Sequence, residues 1–157
     1  MRDLIEADDH ETLQALIGAG EIDINVLVDA EEKIPFTPVS LALCTFKFKC
    51  FEVLLNAGAN LLTVSGTQQW TTLQWAVFIG RDDLVGKIIV RATQDRSRDR
   101  LLSARGHDNR TALMIAQSRL EGKAPAADKE QRRASGTDAV VISWKTTARI
   151  VELLSPE

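Results

Sequence analysis

The stretch FTPVSLALCTFKFKCFEVLLNAGAN, residues Phe36–Asn60, determines how the rest of the chain is interpreted. Thr37 can cap a helix, and Pro38 suits the first helical position, where no backbone N–H is needed. A second apolar segment, Lys49–Ala57, ends at Gly58, and glycine readily adopts the left-handed conformation that terminates a helix. The stretch therefore predicts two short helices joined by a turn.

The same pattern returns twice further along the chain. WTTLQWAV begins at Trp70 and RTALMIAQ begins at Arg110. Thr71 follows Thr37 by 34 positions, and Thr111 follows Thr71 by 40. A spacing of this length indicates internal repeats, each of them one helix-turn-helix unit. A second landmark keeps the same phase, an aliphatic pair 17 residues after the first two threonines: Leu54-Leu55 and Ile88-Ile89.

The three copies resemble a known family. TPVSLA, TTLQWA and TALMIA resemble the ankyrin-repeat signature T-P-L-H-x-A, and LLNAGAN resembles the end of that family's second helix. The family's period of about 33 residues is close to the observed spacing. The resemblance covers most of the chain and implies an all-α, ankyrin-like helical repeat solenoid, with helix-turn-helix units joined by loops or short hairpins.

We expect a single domain over residues 1–157, with irregular units at both ends because terminal repeats cap the stack. The expected units are a degenerate N-terminal repeat at 1–35, the best-preserved repeat at 36–69, a repeat with an extended loop at 70–109, and a C-terminal repeat at 110–157 that a flexible insertion interrupts at about 120–144.

The copies depart from the family signature at two positions. The histidine at the fourth position, which usually ties neighbouring loops by hydrogen bonds, is replaced in every copy. The glycine between the two helices is replaced in two copies. We therefore expect less regular loops than the family usually has. The residues concerned are Ser40, Gln74 and Met114 at the histidine position, and Phe46, Gly80 and Leu120 at the glycine position.

Composition narrows the function classes. The 157 residues are 45% apolar, and 19 basic against 22 acidic residues give a net charge of −3, which does not suit a nucleic-acid binder. No apolar run approaches the roughly 20 residues of a membrane span, and charges run through the N-terminal segment, unlike a signal peptide. Cys44 and Cys50 are expected as free thiols. We expect a cytoplasmic protein, and a nuclear location also fits.

The sequence offers little for catalysis. His10 lies in the acidic segment DDHE, and His107 lies in the loop sequence RGHDN. No zinc-binding HExxH helix, Cys-x-x-Cys pair, G-x-S-x-G elbow or phosphate-binding glycine loop occurs. We therefore expect no enzyme, no cofactor and no metal site.

The family resemblance implies a binding surface instead. In that family, partners often contact the residue before the capping threonine and the two residues near the end of the first helix. Exposed apolar side chains at such positions suggest an interface. The positions near the helix ends are Cys44, Thr45, Phe78, Ile79, Ser118 and Arg119. The partner-binding residues we predict are Phe36, Trp70, Phe78, Ile79, Arg110 and Arg119.

Two explanations of the apolar cluster stay open. Trp70, Phe78 and Ile79 either contact a protein partner, or the Arg91–Asn109 loop or the insertion folds back over them. A homodimer that buries the same patch and a regulatory subunit of an enzyme are further alternatives. Trp75 instead matches a core position of the signature, which favours packing.

Two charged segments suggest further functions. The Arg91–Asn109 loop is rich in arginine, but aspartates interleave, which favours a solvated and partly self-paired loop, with an acidic peptide partner as the alternative. RRAS, residues Arg132–Ser135, resembles a basophilic kinase site, so Ser135 is a candidate for phosphorylation. Adding about two negative charges beside two arginines would reshape that segment.

Overall fold

The computed structural model describes residues 1–28, 35–120 and 144–155. Within these ranges the chain forms nine helices and no strand, which confirms the all-α prediction for this part of the protein. None of these helices combines the length and apolar character that crossing a membrane requires. They are α1 (Arg2–Glu6), α2 (His10–Gly18), α3 (Pro38–Cys44), α4 (Phe48–Asn56), α5 (Thr72–Ile79), α6 (Asp82–Gln94), α7 (Arg98–Ser103), α8 (Ala112–Leu120) and α9 (Trp144–Leu154).

The helices associate in consecutive pairs. α1 packs against α2, α3 against α4, α5 against α6, and α8 against α9. The first helices of the pairs, α1, α3, α5 and α8, contact one another in chain order and form a continuous row. Among the second helices, α2 contacts α4 and α6 contacts α9, while α7 lies between α6 and α8. Each pair therefore buries against its neighbours a face that it could not bury alone.

Threonine caps start the first helices of the two central pairs. The Thr37 hydroxyl accepts a hydrogen bond from the backbone N–H of Ser40 at 3.3 Å, and Pro38 occupies the first turn of α3. The Thr71 hydroxyl accepts a hydrogen bond from the N–H of Gln74 at 3.4 Å. A third threonine caps α8 in the same way. These caps were predicted from the sequence, and they set where each first helix begins.

The segments that lead into α3 and α5 end in short antiparallel bridges. One bridge joins Val28 to Phe36, and the other joins Ser65 to Trp70. Each bridge ends one residue before a threonine cap, so Phe36 and Trp70 occupy equivalent places in the backbone. The prediction that units are joined by loops or short hairpins fits these two places.

The turns within the first three helix pairs share one backbone feature, a residue in the left-handed region. The residues are Asp8 at φ 56°, Phe46 at φ 61° and Gly80 at φ 78°. Behind Phe46, the N–H of Lys47 donates to the carbonyl of Ala42 at 2.8 Å and so satisfies a free carbonyl at the end of α3. Phe46 carries a backbone strain that Gly80 avoids, because glycine has no Cβ.

The expected loop at Arg91–Asn109 differs from the structure. α6 continues to Gln94, and α7 occupies Arg98–Ser103. Leu101 of α7 is fully buried, which anchors this short helix to the core. The uninterrupted loop is therefore shorter than the sequence suggested, and residues 104–110 form the segment that leads to α8.

Candidate partner-binding surface

An aromatic cluster lies along the row of first helices, with Trp75 of α5 at its centre. The Trp75 ring centroid lies 5.0 Å from that of Trp70, 5.6 Å from that of Phe36 and 6.0 Å from that of Phe78. Tilted and edge-on arrangements at these distances are the favourable ones for aromatic pairs. Trp75 is only 2% exposed, so it is a core residue, as its place in the signature predicted.

Trp70 is buried and does not point outward from the base of its loop, and of the two explanations that the sequence left open, cover by the Arg91–Asn109 loop is the one found for this residue. Its side chain is 2% exposed, and its indole N–H donates to the Asp108 carboxylate at 3.2 Å. A Cβ atom on Gly106 would come within 2.3 Å of Trp70 Cδ1, so the backbone at Gly106 lies directly on the ring. We call residues 104–110 the covering loop. Burial of this large ring is favourable. The residues that cover it belong to the longer of the two repeat spacings, 40 residues against 34.

The covering loop is held to α5 and to the loop before it by hydrogen bonds. The N–H of His107 donates to the carbonyl of Gln68 at 2.8 Å. The Gln74 side-chain amide donates to the carbonyl of Arg110 at 2.6 Å, while its oxygen accepts from the N–H of Thr71 at 2.8 Å. Gln74 therefore caps its own helix and ties the next loop to it, which is the role the resemblance gave to the missing histidine.

Sequence reasoning missed two residues of this arrangement, Gly106 and Asp108. The signal available for them was the turn-forming composition of ARGHDN immediately before a threonine cap. That composition indicates a tight turn, but it does not say which neighbouring side chain the turn covers. The partner of the turn, Trp70, lies 36 residues earlier than Gly106.

The predicted residues near the ends of the first helices remain partly accessible. All of them are half-buried, and so is Phe36 at the base of its loop. We call this set the inner-row surface, because it follows the row of α3, α5 and α8. Its members are Phe36, Cys44, Thr45, Phe78, Ile79, Ser118 and Arg119.

The two predicted arginines have different surroundings. The Arg119 guanidinium lies 5.2 Å from the Phe78 ring centroid, so it borders the aromatic cluster on the inner-row surface. The Arg110 side chain is only 15% exposed and pairs with Asp108 at 3.7 Å. Its Nη2 atom is buried with no hydrogen-bond partner among the described residues. Arg110 therefore supports the covering loop more than it presents a charge to a partner.

The two thiols are poor nucleophiles. Burial raises the pKa of the Cys50 thiol to about 11, and a hydrogen bond with Asp8 adds to the shift. Burial also raises the pKa of the Cys44 thiol well above its ordinary value. Both thiols are protonated near neutral pH, and the thiolate is the reactive form. In the described ranges, no three His, Cys, Asp or Glu side chains are grouped so that they could hold a metal ion.

The predicted phosphorylation site, Ser135, and nearly all of the expected insertion lie outside the described residues. Comparison of the sequence with models of known protein families finds no match, and comparison with curated proteins finds none either. The ankyrin-like interpretation therefore rests on the residues and contacts of this chain.

Proposed function

We propose that the protein is an ankyrin-like repeat protein that binds a protein partner through its inner-row surface. The repeat interpretation is supported by the 34- and 40-residue spacings, the threonine caps at equivalent places and the ordered contacts along the row of first helices. The observation that carries the binding proposal is the run of half-buried apolar residues on that row, chiefly Phe36, Phe78 and Ile79.

Rigidity is the physical basis of the proposed binding. Phe36 and Phe78 both pack against Trp75, which is fixed in the core, and Trp70 supports Phe78 from beneath the covering loop. Side chains held in this way lose little conformational entropy when a partner is bound. Arg119, next to Phe78, adds a cationic group at the edge of the apolar area.

The two cysteines bear on the cellular location of the protein. Cys44 and Cys50 are free, and free buried thiols are typical of reducing compartments. We therefore propose a cytoplasmic location, with the nucleus as the alternative.

Partner capture followed by titration tests the proposal. Wild-type protein is used to capture and identify a partner, and the purified partner is then titrated by calorimetry against Phe78→Ala and Ile79→Ala. We expect a loss of affinity of at least about tenfold, as for apolar residues at the centre of an interface. Val90→Ala is the matched control, because Val90 is 58% exposed on the second helix α6 and lies outside the inner-row surface.

Thermal unfolding of each variant separates loss of binding from loss of folding. Unchanged affinity in both inner-row variants, with the fold intact, would remove this surface from the proposal. Light scattering completes the test, because a dimer that dissociates in Phe78→Ala would assign the same surface to a second copy of the chain.

A further inference from the structure

The turn between α3 and α4 presents two aromatic rings. Phe46 and Phe48 are both half-buried, and their rings meet edge to face with centroids 6.1 Å apart. The guanidinium of Arg81, from the neighbouring unit, lies 4.3 Å from the centroid of the Phe48 ring. Both rings are thus held by contacts within the chain while part of each stays accessible.

Two lysines alternate with these rings. Lys47 immediately precedes α4, and Lys49 lies in its first turn. Neither has an acidic side chain at ion-pairing distance among the described residues. Positive charge beside the N-terminus of a helix is unfavourable, because the helix dipole is positive there. Asp8 relieves part of this cost by accepting the N–H of Cys50 at 3.4 Å.

The corresponding turn between α5 and α6 has the side chains that folding favours. Its left-handed residue is Gly80, and its helix begins with Asp82 and Asp83, whose charges suit the helix dipole. Arg81 in that turn is held by Asp83 through two hydrogen bonds of 2.8 and 2.7 Å. The same backbone therefore forms readily with a glycine and two aspartates.

The α3–α4 turn departs from this arrangement in two respects. It places the bulky Phe46 in the left-handed conformation, and it places Lys49 where the next unit has Asp83. Lys47 corresponds to Arg81, so the basic charge at that position is shared, but Arg81 is paired with Asp83. Strain that the fold does not need points to a use of the side chains that cause it. We call Phe46, Lys47, Phe48 and Lys49 the turn patch.

We propose that the turn patch is a second interaction surface, which docks a short acidic protein segment carrying an apolar side chain. The carboxylates of the segment bind Lys47 and Lys49, and its apolar side chain packs on Phe46 and Phe48. The complementarity of charge selects an acidic occupant, and the two rings select one that also has an apolar group.

The surroundings of the patch favour a short segment over a long polyanion such as a nucleic acid. The neighbouring α1–α2 turn carries Asp8 and Asp9, Glu11 follows in the first turn of α2, and Asp8 contacts α4 directly. The chain as a whole has a net charge of −3. An extended polyanion would be repelled by this acidic turn and by the rest of the surface along its length, whereas a segment that covers one turn meets only the carboxylates next to the patch.

A display library of random 12-residue peptides, selected on the whole chain, tests the proposal. We expect the enriched peptides to combine at least two Asp or Glu residues with a Leu, Ile, Phe or Trp. One enriched peptide is then synthesised, labelled and titrated by fluorescence anisotropy. The Lys47→Glu/Lys49→Glu double variant should bind it at least tenfold more weakly, and added salt should weaken binding to the wild type.

Phe46→Gly separates binding from folding. Glycine relieves the left-handed strain, so this variant should unfold at the same or higher denaturant concentration, yet bind the peptide several-fold more weakly. A residue whose role is only structural would not combine these two results. Phe78→Ala, on the inner-row surface, should leave peptide binding unchanged.

Other results would overturn the proposal. These are a selection that enriches no acidic peptides, and a peptide whose affinity is the same for the wild type, the double lysine variant and Phe46→Gly. Binding lost only in Phe78→Ala would support the inner-row surface and reject the turn patch. Tight binding of a single-stranded oligonucleotide through Lys47 and Lys49 would reject a protein segment as the occupant.

Discussion

The α3–α4 and α5–α6 pairs build the same backbone with different side chains, and the residue before each first helix shows the consequence. Phe36 and Trp70 occupy equivalent places, one residue before a threonine cap. Phe36 is half-buried, whereas Trp70 is 2% exposed because the covering loop lies on it. The next unit along the chain therefore decides whether a residue at this position belongs to the surface or to the core.

The fourth position of the signature differs between the pairs in the same way. In α3, the Ser40 hydroxyl reaches only the hydroxyl of Thr72, at 3.3 Å. In α5, the longer Gln74 side chain reaches the carbonyl of Arg110 in the covering loop. The third unit is thus tied to the fourth by a buried amide, while the second is joined to the third by a weaker contact between two hydroxyls.

The largest expected effect comes from removing the buried ring. Trp70→Ala should lower the free energy of unfolding by about 3–5 kcal/mol, the usual cost of emptying a buried aromatic site. Phe36→Ala should cost about 1–2 kcal/mol, because less of its apolar area is withdrawn from water. Urea unfolding followed by circular dichroism measures both values.

Gly106→Ala is the control for the covering loop, since it leaves the Trp70 ring intact but places a Cβ 2.3 Å from it. We expect it to lower stability as well. Equal losses of stability from Trp70→Ala and Phe36→Ala, with no effect of Gly106→Ala, would contradict the claim that the covering loop makes Trp70 more important for stability than Phe36.

Local rules in the sequence were enough to predict the starts of α3, α5 and α8 and the all-α class of the described part of the chain. Thr37, Pro38 and Thr71 act within three or four residues of themselves, so a short window contains the information. The burial of Trp70 was not predictable in this way. It depends on a loop 36 residues further along, and two alternatives therefore stayed open from the sequence alone.

The structure differs from the sequence-based expectation at two further places, α7 and Gln74, and in both cases a contact distant in sequence is the reason. The short helix α7 lies in the polar sequence RSRDRLLS, and the core contact of Leu101 stabilises it where local periodicity is too brief to indicate a helix. The missing histidine suggested that the tie between loops is lost. At Gln74 the tie is present, because the position requires a hydrogen-bond donor of sufficient length and an amide supplies one.

Substitutions at the fourth signature position, Gln74 and Ser40, should cause an intermediate loss of stability. Gln74→Ala should lower the free energy of unfolding by about 1–3 kcal/mol, because it leaves the carbonyl of Arg110 and the N–H of Thr71 without these partners in a buried place. Ser40→Ala, the matched change in α3, should cost about 0.5–1 kcal/mol.

Amide hydrogen exchange gives a second, local measurement of the same tie. The N–H of His107, in the covering loop, donates to the carbonyl of Gln68, in the loop that precedes α5. It should exchange faster in Gln74→Ala and at the wild-type rate in Ser40→Ala. Unaltered exchange in Gln74→Ala would show that Gln74 does not hold the covering loop.

The last effect depends on pH and is absent near neutrality, and it concerns thiols, which the α3–α4 pair carries and the α5–α6 pair does not. Burial raises the pKa of Cys50 to about 11, whereas an unfolded thiol titrates near 8.5. The folded state therefore keeps a proton that the unfolded state releases. The resulting stabilisation is complete below about pH 8.5 and is lost as the pH rises towards 11.

Urea unfolding between pH 7.5 and pH 10.5, in the presence of reductant, compares the wild type with Cys50→Ala. The wild type should lose more stability than the variant above pH 8.5, and the two pH profiles should be parallel below it. Other titrating groups, including the Cys44 thiol, are present in both chains, so their contributions cancel in the difference. Parallel profiles over the whole range would mean that the folded protein accommodates the Cys50 thiolate as well as the unfolded chain does, and that burial at this place does not hold the proton.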